Sequence, residues 1–492
     1  MSAKTAQLKD KEFWYKDILL TCNKLPDFER NDVNLSTQFS RNIKLKSPLV
    51  SSPMDTVTGS KMAILMALMG GIGVIHFNYE TIEEQMKEVK KVKRFEAAFV
   101  LEPIVLNPKN NISDIYDIAE EYGFYSVPVT EDGTLKSKLV GMVTHRDVRF
   151  LETKKDMKIP LEKIMTKAED LITAKKEDTL DKNNIKGANK IIRKYNLDTL
   201  PIVDKNFRLA ALVTDSDLRK NKIYPLATKD KNKQLKVLIA VESRISLAKE
   251  RIKKGIEAGI DGIVIDSSVV FKEQIEIARY VKKNYPHLEV ILGNIDSGEM
   301  LKEIIKAGGK YVDAVKVGIG PGAACITQQQ LGIGRAQGSA LLDCAQTADQ
   351  MAKKTGFRMP LVADGGIKNS SDITKALALG AQTVMIGGLL AGLEESPGDV
   401  IYNEEKGYLV KKYRGMGSME AMEKRGAVRY RVDKNSIKVA EGKVLEVGFK
   451  GSGYLYLPKI IAAVKQSMQK LDSKDIKTLQ NSIEIRPNKI LL

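Results

Sequence analysis

The segment KVGIGPGAACITQQQ, residues 316–330, places a cysteine directly behind a glycine-rich loop. Gly318, Gly320 and Gly322 let the backbone turn tightly and let main-chain groups approach a ligand or an ion closely. Backbone N–H groups of such a loop stabilise a thiolate, which is the nucleophilic form of cysteine. The segment therefore predicts that Cys325 is a nucleophile, with a small buried hydrophobic side chain as an equal alternative from the loop alone.

Two Gly-Gly pairs follow other apolar runs and suit the binding of a nucleotide. In LVADGGIKN, Asp364 can accept hydrogen bonds from a ribose diol, and the amides of Gly365 and Gly366 can donate to a phosphate. The run TVMIGG supplies the second pair, Gly387 and Gly388. Either pair alone is no more than a turn, but two pairs behind neighbouring strands predict a phosphate site.

The runs that must position these residues alternate with amphipathic helical patterns, as in proteins with a parallel sheet. The candidate strands are PLVSSP, GIGVIH, VLIAV, GIVID, VILGN, AVKVG, LVADG and TVMIGG. Most of them end in Gly, Ser, Asp, Asn or His, and a (β/α)8 barrel carries its chemistry at the carboxyl ends of its strands. Eight runs therefore predict an α/β fold, a (β/α)8 TIM barrel, with an open doubly wound sheet as the alternative.

An interruption between the second and third of these strands, roughly residues 103–225, contains an internal repeat. SVPVTEDG and LVGMVTHRD in the first copy match TLPIVDKN and LAALVTDSD in the second. Equivalent residues lie about 70 positions apart, namely Pro128 and Pro201, Thr144 and Thr214, and Asp147 and Asp217. The sequence thus predicts a barrel built from residues 1–102 and 226–492, with two copies of one module, about 103–160 and 161–225, inserted into a loop.

Each copy resembles the CBS module, a small α/β unit that works in tandem pairs. The resemblance rests on the apolar-Pro-apolar strand and on the T-x-x-D sequence behind the next strand. It implies that four residues hold the ribose and phosphates of adenine or guanine nucleotides: Thr144, Asp147, Thr214 and Asp217. The alternative role of each Thr and Asp pair is the N-cap of a helix.

Composition narrows the class of protein further. The chain of 492 residues is 43% hydrophobic and has no uninterrupted apolar run of the roughly 20 residues that a membrane span needs. Three cysteines, of which Cys22 and Cys344 are expected to be structural, are too few for a disulfide framework and predict a cytoplasmic location. The formal charge of +17 comes from dispersed lysines without interleaved aromatic residues, so nucleic acid is not expected as the main partner.

Several motifs together resemble the inosine 5′-monophosphate (IMP) dehydrogenase family over essentially the whole chain. They are SSPMDTVT, GGIGVIH, the glycine-rich loop that ends in Cys325, ADGGI, YRGMGSMEAM and VRY. GMP reductase shares the barrel, the cysteine and the phosphate loops, and the segment AEGKVLEVGFKG resembles both enzymes. Retention of Arg429 and Tyr430 together with GMGSMEAM favours the dehydrogenase, and GMP reductase is the alternative.

The resemblance implies a two-step reaction, in which Cys325 adds to C2 of the hypoxanthine ring and hydride passes from C2 to NAD. Water then hydrolyses the covalent thioimidate to xanthosine monophosphate (XMP), the committed step toward guanine nucleotides. The residues implied to activate this water are Arg429, Tyr430 and Thr327. Because the pKa of arginine lies far above neutrality, an arginine base requires either a pocket that favours its neutral form or a proton relay through Thr327.

The resemblance also implies the remaining contacts. Substrate contacts are implied for Ser52, Met54, Asp364, Gly366, Gly387, Gly388, Tyr413, Gly415, Met416, Gly417 and Glu441. Contacts with the nicotinamide cofactor are implied for Asp266, Ser267, Ser268 and Gly318. Backbone carbonyls of Gly320, Gly322 and Cys325 are implied as part of a potassium (K+) site. Members of the family form homotetramers, which can pair into octamers through the inserted modules.

Three features depart from the family pattern. Ala323 and Gly388 stand where the family usually has serine, which removes two hydroxyl donors to the phosphate. Behind Asp266 the chain reads SSVVF, without the glycine that the family usually has there, so NADP is the alternative to NAD. The lost phosphate donors motivate a third hypothesis, in which the barrel is not catalytic and the protein is a nucleotide-sensing scaffold.

Overall fold

The computed structural model describes residues 12–22, 24–95, 100, 103–135, 137–180, 185–214, 223–431 and 437–488. Of these residues, those in Met1–Val92, Leu226–Thr228 and Lys236–Leu492 form one compact unit, and those in Lys93–Pro225 and Lys229–Leu235 form a second. The predicted insertion, 103–225, falls inside the second unit. Asp217, one of the predicted nucleotide contacts, lies outside the described residues.

Strands and helices occur in both units. In chain order the strands are β1 (Ile18–Thr21), β2 (Thr37–Gln38), β3 (Lys44–Leu45), β4 (Leu49–Ser51), β5 (Ile72–Ile75), β6 (Val127–Thr130), β7 (Leu139–Val143), β8 (Thr166–Lys167), β9 (Ala174–Lys175), β10 (Thr199–Val203), β11 (Leu209–Thr214), β12 (Val237–Val241), β13 (Gly262–Ile265), β14 (Glu289–Ile295), β15 (Ala314–Val317), β16 (Leu361–Asp364), β17 (Thr383–Ile386), β18 (Val400–Asn403), β19 (Tyr408–Arg414), β20 (Val444–Gly448) and β21 (Glu484–Pro487). The α-helices are α1 (Ser60–Leu68), α2 (Ile82–Arg94), α3 (Ile112–Tyr122), α4 (His145–Val148), α5 (Ile185–Tyr195), α6 (Ile245–Glu257), α7 (Lys272–Asn284), α8 (Gly298–Gly308), α9 (Thr327–Leu331), α10 (Gln337–Thr355), α11 (Ser370–Ala378), α12 (Gly388–Ala391), α13 (Met419–Glu423), α14 (Gly426–Arg429), α15 (Gly453–Lys470) and α16 (Ile476–Ser482). Within the described ranges, none of these helices has both the length and the apolar content needed to cross a bilayer.

The first unit is built around a closed parallel barrel with the strand order β12-β13-β14-β15-β16-β17-β4-β5. Each barrel strand coincides with one of the eight predicted runs, so the prediction of a (β/α)8 barrel is confirmed. The alternative of an open sheet is wrong, because β17 pairs with β4 and β5 pairs with β12, which leaves no free edge in this sheet. The connection between β5 and β12 carries the second unit.

The barrel interior is filled by side chains and is closed at one end. Val50 and Leu238, on two of the barrel strands, belong to one hydrophobic cluster with Phe39 from the loop between β2 and β3. In the same loop the amide of Asn42 donates to the carboxylate of Glu289, the first residue of β14 (2.9 Å). The loop therefore lies at the amino ends of the strands, and the carboxyl ends form the mouth that a ligand can enter.

The second unit contains two three-stranded sheets, β6-β7-β8 and β9-β10-β11. The hairpins β6–β7 and β10–β11 have the same register, since Pro128 lies opposite Met142 and Pro201 lies opposite Leu212. In each hairpin the pairing shifts between the first and second residues after that proline. The repeat in the sequence therefore corresponds to two copies of one hairpin geometry.

Candidate active site

One pocket lies at the carboxyl ends of the barrel strands, and most of the predicted site residues line it. These residues are Ser52, Met54, Asp266, Ser268, Gly318, Gly320, Gly322, Cys325, Thr327, Asp364, Tyr413, Gly415, Met416, Gly417, Arg429, Tyr430 and Glu441. They come from strand ends and loops that are spread over most of the sequence of the first unit. Closure of the barrel is what brings these segments together.

Four of the residues predicted for the barrel site do not line this pocket: Ser267, Gly366, Gly387 and Gly388. The hydroxyl of Ser267 donates to the backbone carbonyl of Arg429 (3.2 Å). Gly387 and Gly388 stand at the start of α12, against the ring of Tyr413. Both glycines therefore lie next to the lining, where a glycine can offer a ligand only its backbone groups.

Cys325 is linked to an acidic group by hydrogen bonds. Its amide donates to the carbonyl of Gly322 (3.0 Å), which closes the glycine-rich loop into a turn. Its Sγ lies 3.2 Å from Oγ1 of Thr327, the first residue of α9. Thr327 in turn donates its hydroxyl proton to Oε2 of Glu441 (2.8 Å). Sulfur, hydroxyl and carboxylate thus form a path for a proton between Cys325 and Glu441.

Burial shifts the acid–base properties of two groups beside this path. It raises the pKa of Glu441, and the hydrogen bond from Thr327 and the charge of Arg429 oppose that rise only in part. A carboxylate with a raised pKa accepts a proton more readily near neutral pH. Burial also raises the pKa of Tyr430 to about 12, against the opposing charge of Arg429. Tyr430 therefore keeps its proton and can donate a hydrogen bond.

Arg429 forms a bidentate ion pair with Asp266. The distances are 2.8 Å from Nε to Oδ2 and 3.3 Å from Nη2 to Oδ1, and Nη1 also donates to the hydroxyl of Tyr430 (3.0 Å). Burial lowers the pKa of Arg429, but the charge of Asp266 outweighs it, and the pKa is held well above its usual value. This arrangement stabilises the guanidinium cation and not the neutral form.

Two residues with polar side chains in the lining carry no predicted role, Lys316 and Asn294. Lys316 lies inside β15, 3.0 Å from Oδ1 of Asp266 and 3.4 Å from Oδ2 of Asp364. The side-chain amide of Asn294 donates to Asp364 (2.8 Å) and to the carbonyl of Gly318 (2.7 Å). One signal for Lys316 is present in the sequence, a charge inside the apolar run AVKVG. Gly365, whose amide is predicted to donate to a phosphate, also lines the pocket, and the other unpredicted residues of the lining adjoin predicted ones in the chain: Pro53, Ile319, Pro321 and Ala324.

Fold and site together define a class of protein, an enzyme with a (β/α)8 barrel, a cysteine at the barrel mouth and a second unit in a barrel loop. Over residues 12–488 the chain matches the family model described as "IMP dehydrogenase / GMP reductase domain". The chain belongs to this family, and the prediction made from its motifs is confirmed.

Relatives from both branches of the family are similar to this chain. Inosine-5′-monophosphate dehydrogenase from Schizosaccharomyces pombe is 42% identical over 466 residues, which cover 93% of this chain and 85% of that protein. The enzyme of the same name from Toxoplasma gondii is 44% identical over 411 residues, or 83% of this chain and 70% of that protein. The structure of GMP reductase from Trypanosoma brucei with guanosine 5′-monophosphate has a TM-score of 0.86 and 30% identity, and covers 97% of this chain and 96% of that one. The sequence relatives support the predicted NAD-dependent IMP dehydrogenase over the reductase.

Proposed function

We propose that the protein oxidises IMP to XMP with NAD, through a covalent bond between Cys325 and C2 of the purine. The observation that carries the proposal is the hydrogen-bonded path from the Cys325 sulfur through Thr327 to Glu441, inside the lined pocket. Such a path activates a thiol because it provides a base that accepts the thiol proton. The identity of 42% and 44% with two IMP dehydrogenases supports the choice of substrate.

In the first step Cys325 loses its proton toward Thr327 and Glu441, and its sulfur attacks C2 of IMP. A carbon–sulfur bond forms, and hydride then leaves C2 with its electron pair, so the purine remains attached as a thioimidate. NAD, when it is bound, supplies the acceptor for this hydride. The chain's own contribution is to orient IMP, with Asp364 at the ribose and Ser52 and Met54 beside the purine.

The pocket has polar atoms that fit a nicotinamide riboside. Oδ1 of Asn294 is buried and has no hydrogen-bond partner among the described residues, and an amide oxygen of this kind can accept from the carboxamide of the cofactor. Asp266 and Ser268 line the pocket, and Asp266 can accept from ribose hydroxyls. Because Arg429 pairs with the Asp266 carboxylate in this structure, we expect the cofactor and Arg429 to compete for it.

In the second step water attacks C2 of the thioimidate, and the carbon–sulfur bond breaks. Arg429 and Tyr430, both of which line the pocket, hold the water and stabilise the charge that develops on it. Glu441 releases the proton that it took from Cys325 to solvent before this step, and the proton of the water then passes through Thr327 to Glu441, because the Arg429 guanidinium already carries its full complement of protons. Cys325 returns as a thiolate and XMP is released.

Two absorbance assays on one preparation test this proposal against GMP reductase, the second candidate favoured by the TM-score of 0.86. With IMP and NAD, the protein is expected to form NADH. Consumption of NADPH with GMP, without NADH from IMP, would instead establish the reductase, with NADP as its cofactor. Activity in neither assay would favour the non-catalytic, nucleotide-sensing scaffold.

Gly387→Ala is expected to weaken IMP binding more than Gly388→Ala. A β-carbon at position 387 would lie 2.9 Å from the Tyr413 hydroxyl and 3.2 Å from Sδ of Met54, whereas one at position 388 would come no closer than 3.5 Å to Tyr413. Both neighbours line the pocket, so the first variant displaces substrate contacts, and we expect roughly a tenfold loss of affinity, about 1.4 kcal/mol. Titration calorimetry with IMP measures both variants, and equal affinities would contradict the placement of the phosphate cradle formed by Gly366, Gly387 and Gly388.

A potassium ion is a further part of the proposal. The candidate ligands are backbone carbonyls of Gly320, Gly322 and Cys325, which belong to one loop. The carbonyls of Gly320 and Cys325 accept no hydrogen bond from the described residues, which fits their use as ion ligands. A bound ion would fix the loop that carries the nucleophile.

The second unit is proposed to be a tandem CBS pair, over about 103–160 and 161–225, that binds adenine or guanine nucleotides. In the first copy, the amide and the hydroxyl of Thr144 both donate to Oδ2 of Asp147 (2.7 and 2.8 Å). This is the geometry of a helix N-cap, so capping and ligand binding would use the same carboxylate. In the second copy Thr214 ends β11, at the position equivalent to Thr144.

Asp147→Ala is expected to weaken nucleotide binding to this unit by roughly tenfold, whereas Asp156→Ala leaves it unchanged. The second variant is a matched control, because Thr153 donates its amide and hydroxyl to Asp156 in the same way (3.0 and 2.6 Å). Loss of these hydrogen bonds costs about 1 kcal/mol of stability in either variant, so only a ribose contact separates the two variants. Calorimetric titration with ATP and GTP is the measurement, and nucleotide binding unaffected by Asp147→Ala would leave this residue as a cap.

Assembly and location complete the proposal. A homotetramer that pairs into an octamer is tested by sedimentation velocity with and without ATP or GTP. Cys22, Cys325 and Cys344 are free thiols, which fits a reducing compartment, and the cytoplasm is the location that we propose.

A further inference from the structure

Lys316 is a charged side chain enclosed in the barrel mouth. It is 1% exposed, although it carries an ammonium group on a strand of otherwise apolar residues. A β-carbon on Gly293 of β14 would lie 2.6 Å from Cβ and 2.9 Å from Cε of Lys316, so glycine at this position leaves room for the lysine side chain. The neighbouring strand is thus shaped to accommodate this lysine in the pocket.

Charged groups approach Lys316 from three elements. Asp266 follows β13 and lies 3.0 Å from Nζ, and Asp364 ends β16 and lies 3.4 Å from Nζ. Arg429 of α14 reaches the same cluster through its ion pair with Asp266. From β14 comes a neutral group, the amide of Asn294, which donates to Asp364.

Two tyrosines complete the titratable groups around Asp364, and both stay neutral. Tyr413 of β19 and Tyr15 near the amino-terminal end of the described chain feel the charge of this carboxylate. Burial raises the pKa of each phenol above its usual value, and the carboxylate adds to that rise. They therefore contribute no charge to the cluster, and Lys316 and Arg429 are the cations that face its two carboxylates.

The balance of charge changes during the proposed reaction. Two cations and two carboxylates face one another while Arg429 is paired with Asp266. When Asp266 serves the cofactor, Arg429 must leave it, and Lys316 is the cation that remains between Asp266 and Asp364. Without such a cation the buried Asp266 carboxylate and the half-buried Asp364 carboxylate repel each other, and burial then favours protonation of Asp266.

We infer that Lys316 is a positioning residue that stays between Asp266 and Asp364 throughout the reaction and keeps the buried Asp266 carboxylate ionised while Arg429 is withdrawn. The inference rests on the proposed function, in that Asp266 faces the cofactor and Asp364 faces the substrate ribose. Lys316 acts through these two carboxylates. Lys316 thus contacts both the aspartate proposed to bind the cofactor, Asp266, and the aspartate proposed to bind the substrate, Asp364.

The test compares NADH binding to wild type, Lys316→Met and Lys316→Arg as a function of pH, followed by NADH fluorescence. In wild type, burial raises the pKa of Asp266, but Arg429 and Lys316 outweigh it and hold the pKa at about 2, so the carboxylate is ionised throughout the range tested. In Lys316→Met, binding of NADH displaces Arg429 and leaves Asp266 without a cation, which raises its pKa. A protonated carboxyl group no longer accepts from a hydroxyl in the same way, so affinity is lost as the pH falls.

From about pH 8 to about pH 6 we expect NADH affinity of Lys316→Met to fall by about tenfold more than that of wild type. Lys316→Arg retains a cation and is expected to restore the wild-type profile. Lys411→Met is the matched control, because Lys411 is also 1% exposed but donates to the carbonyls of Leu393 (3.0 Å) and Ser396 (2.6 Å) and contacts no carboxylate. Its pH profile is expected to match that of wild type.

If Lys316→Met does not fold, the double variant Lys316→Met with Asp266→Asn removes one charge of each sign and is expected to fold. Its NADH affinity should be weaker than that of wild type and should not change with pH. A folded Lys316→Met protein with the wild-type pH profile, or a double variant that retains a pH dependence of its own, would overturn the inference. Wild-type protein that binds no NADH and forms none from IMP would overturn the proposed function instead.

Discussion

NADH formation from IMP and NAD is expected to fall by roughly 10³-fold or more when Cys325 is replaced by alanine. The substitution removes the sulfur that must bond to C2 before hydride can leave, and Thr327 and Glu441 have no other thiol within their hydrogen-bonded path. Because we propose that Asp364 and the two Gly-Gly turns bind IMP, the variant should keep its affinity for IMP. Initial rates and titration calorimetry measure the two quantities separately.

Cys344→Ala is the matched control for this experiment. Cys344 is fully buried in α10, where burial raises the pKa of its thiol, so it stays protonated and serves packing. Turnover by this variant should equal that of wild type. In quenched wild-type reactions, mass spectrometry should find a nucleotide adduct on the peptide that contains Cys325. Full activity of Cys325→Ala would refute covalent catalysis by this residue.

The barrel could be predicted from the sequence because its strands are encoded locally. A strand that is covered on both faces is a continuous apolar run, and β12 and β13 show that signal directly, as VLIAV and GIVI. The nucleophile loop is also a local signal, since Gly318 has a φ of +142° that other residues rarely adopt. Closure of the sheet into a barrel was predicted only from the number of apolar runs, which is eight. Closure itself depends on the pairing of β17 with β4, two strands that are far apart in the sequence.

The contacts within the site could not be predicted in the same way. Thr327 and Glu441 are 114 residues apart, and Asp266 and Arg429 are 163 residues apart, so their hydrogen bonds exist only once the barrel has closed. Motifs could indicate that these side chains share a pocket but not which partner each one has. The same reason explains the absence of a predicted role for Lys316, whose partners lie at the ends of two other strands.

In the second unit, too, the sequence predicts the local structure but not the contacts of individual side chains. The repeated hairpins follow from local alternation and from the prolines Pro128 and Pro201, which occupy equivalent positions. Whether Asp147 serves a ligand cannot be read from its spacing to Thr144, because Thr153 and Asp156 have the same spacing and the same hydrogen bonds. The T-x-x-D spacing therefore predicts these local hydrogen bonds between threonine and aspartate. Whether the aspartate also binds a ligand depends on the residues that surround it in the folded unit.

Arg429→Ala is expected to produce a burst of NADH followed by a steady-state rate that is lower than that of wild type by about 10²- to 10⁴-fold. The burst survives because hydride transfer uses Cys325, Thr327 and Glu441, whose contacts do not involve Arg429. The steady state stalls because the water that must cleave the thioimidate loses the guanidinium that holds it. Stopped-flow absorbance is the measurement, and the burst amplitude should equal the concentration of active sites.

The Arg429→Ala variant also distinguishes two effects of Arg429, namely its role in hydrolysis of the thioimidate and its competition with the cofactor for Asp266. Removing the guanidinium leaves Asp266 paired with Lys316 alone, so the apparent affinity for NAD should rise while hydrolysis slows. Arg41→Ala is the control, because Arg41 also pairs with an aspartate, Asp313 (3.1 Å), but at the amino-terminal end of the barrel. It should change neither the burst nor the steady state. An Arg429→Ala protein without a burst would place this arginine in the hydride step, and one with a normal steady state would remove it from catalysis.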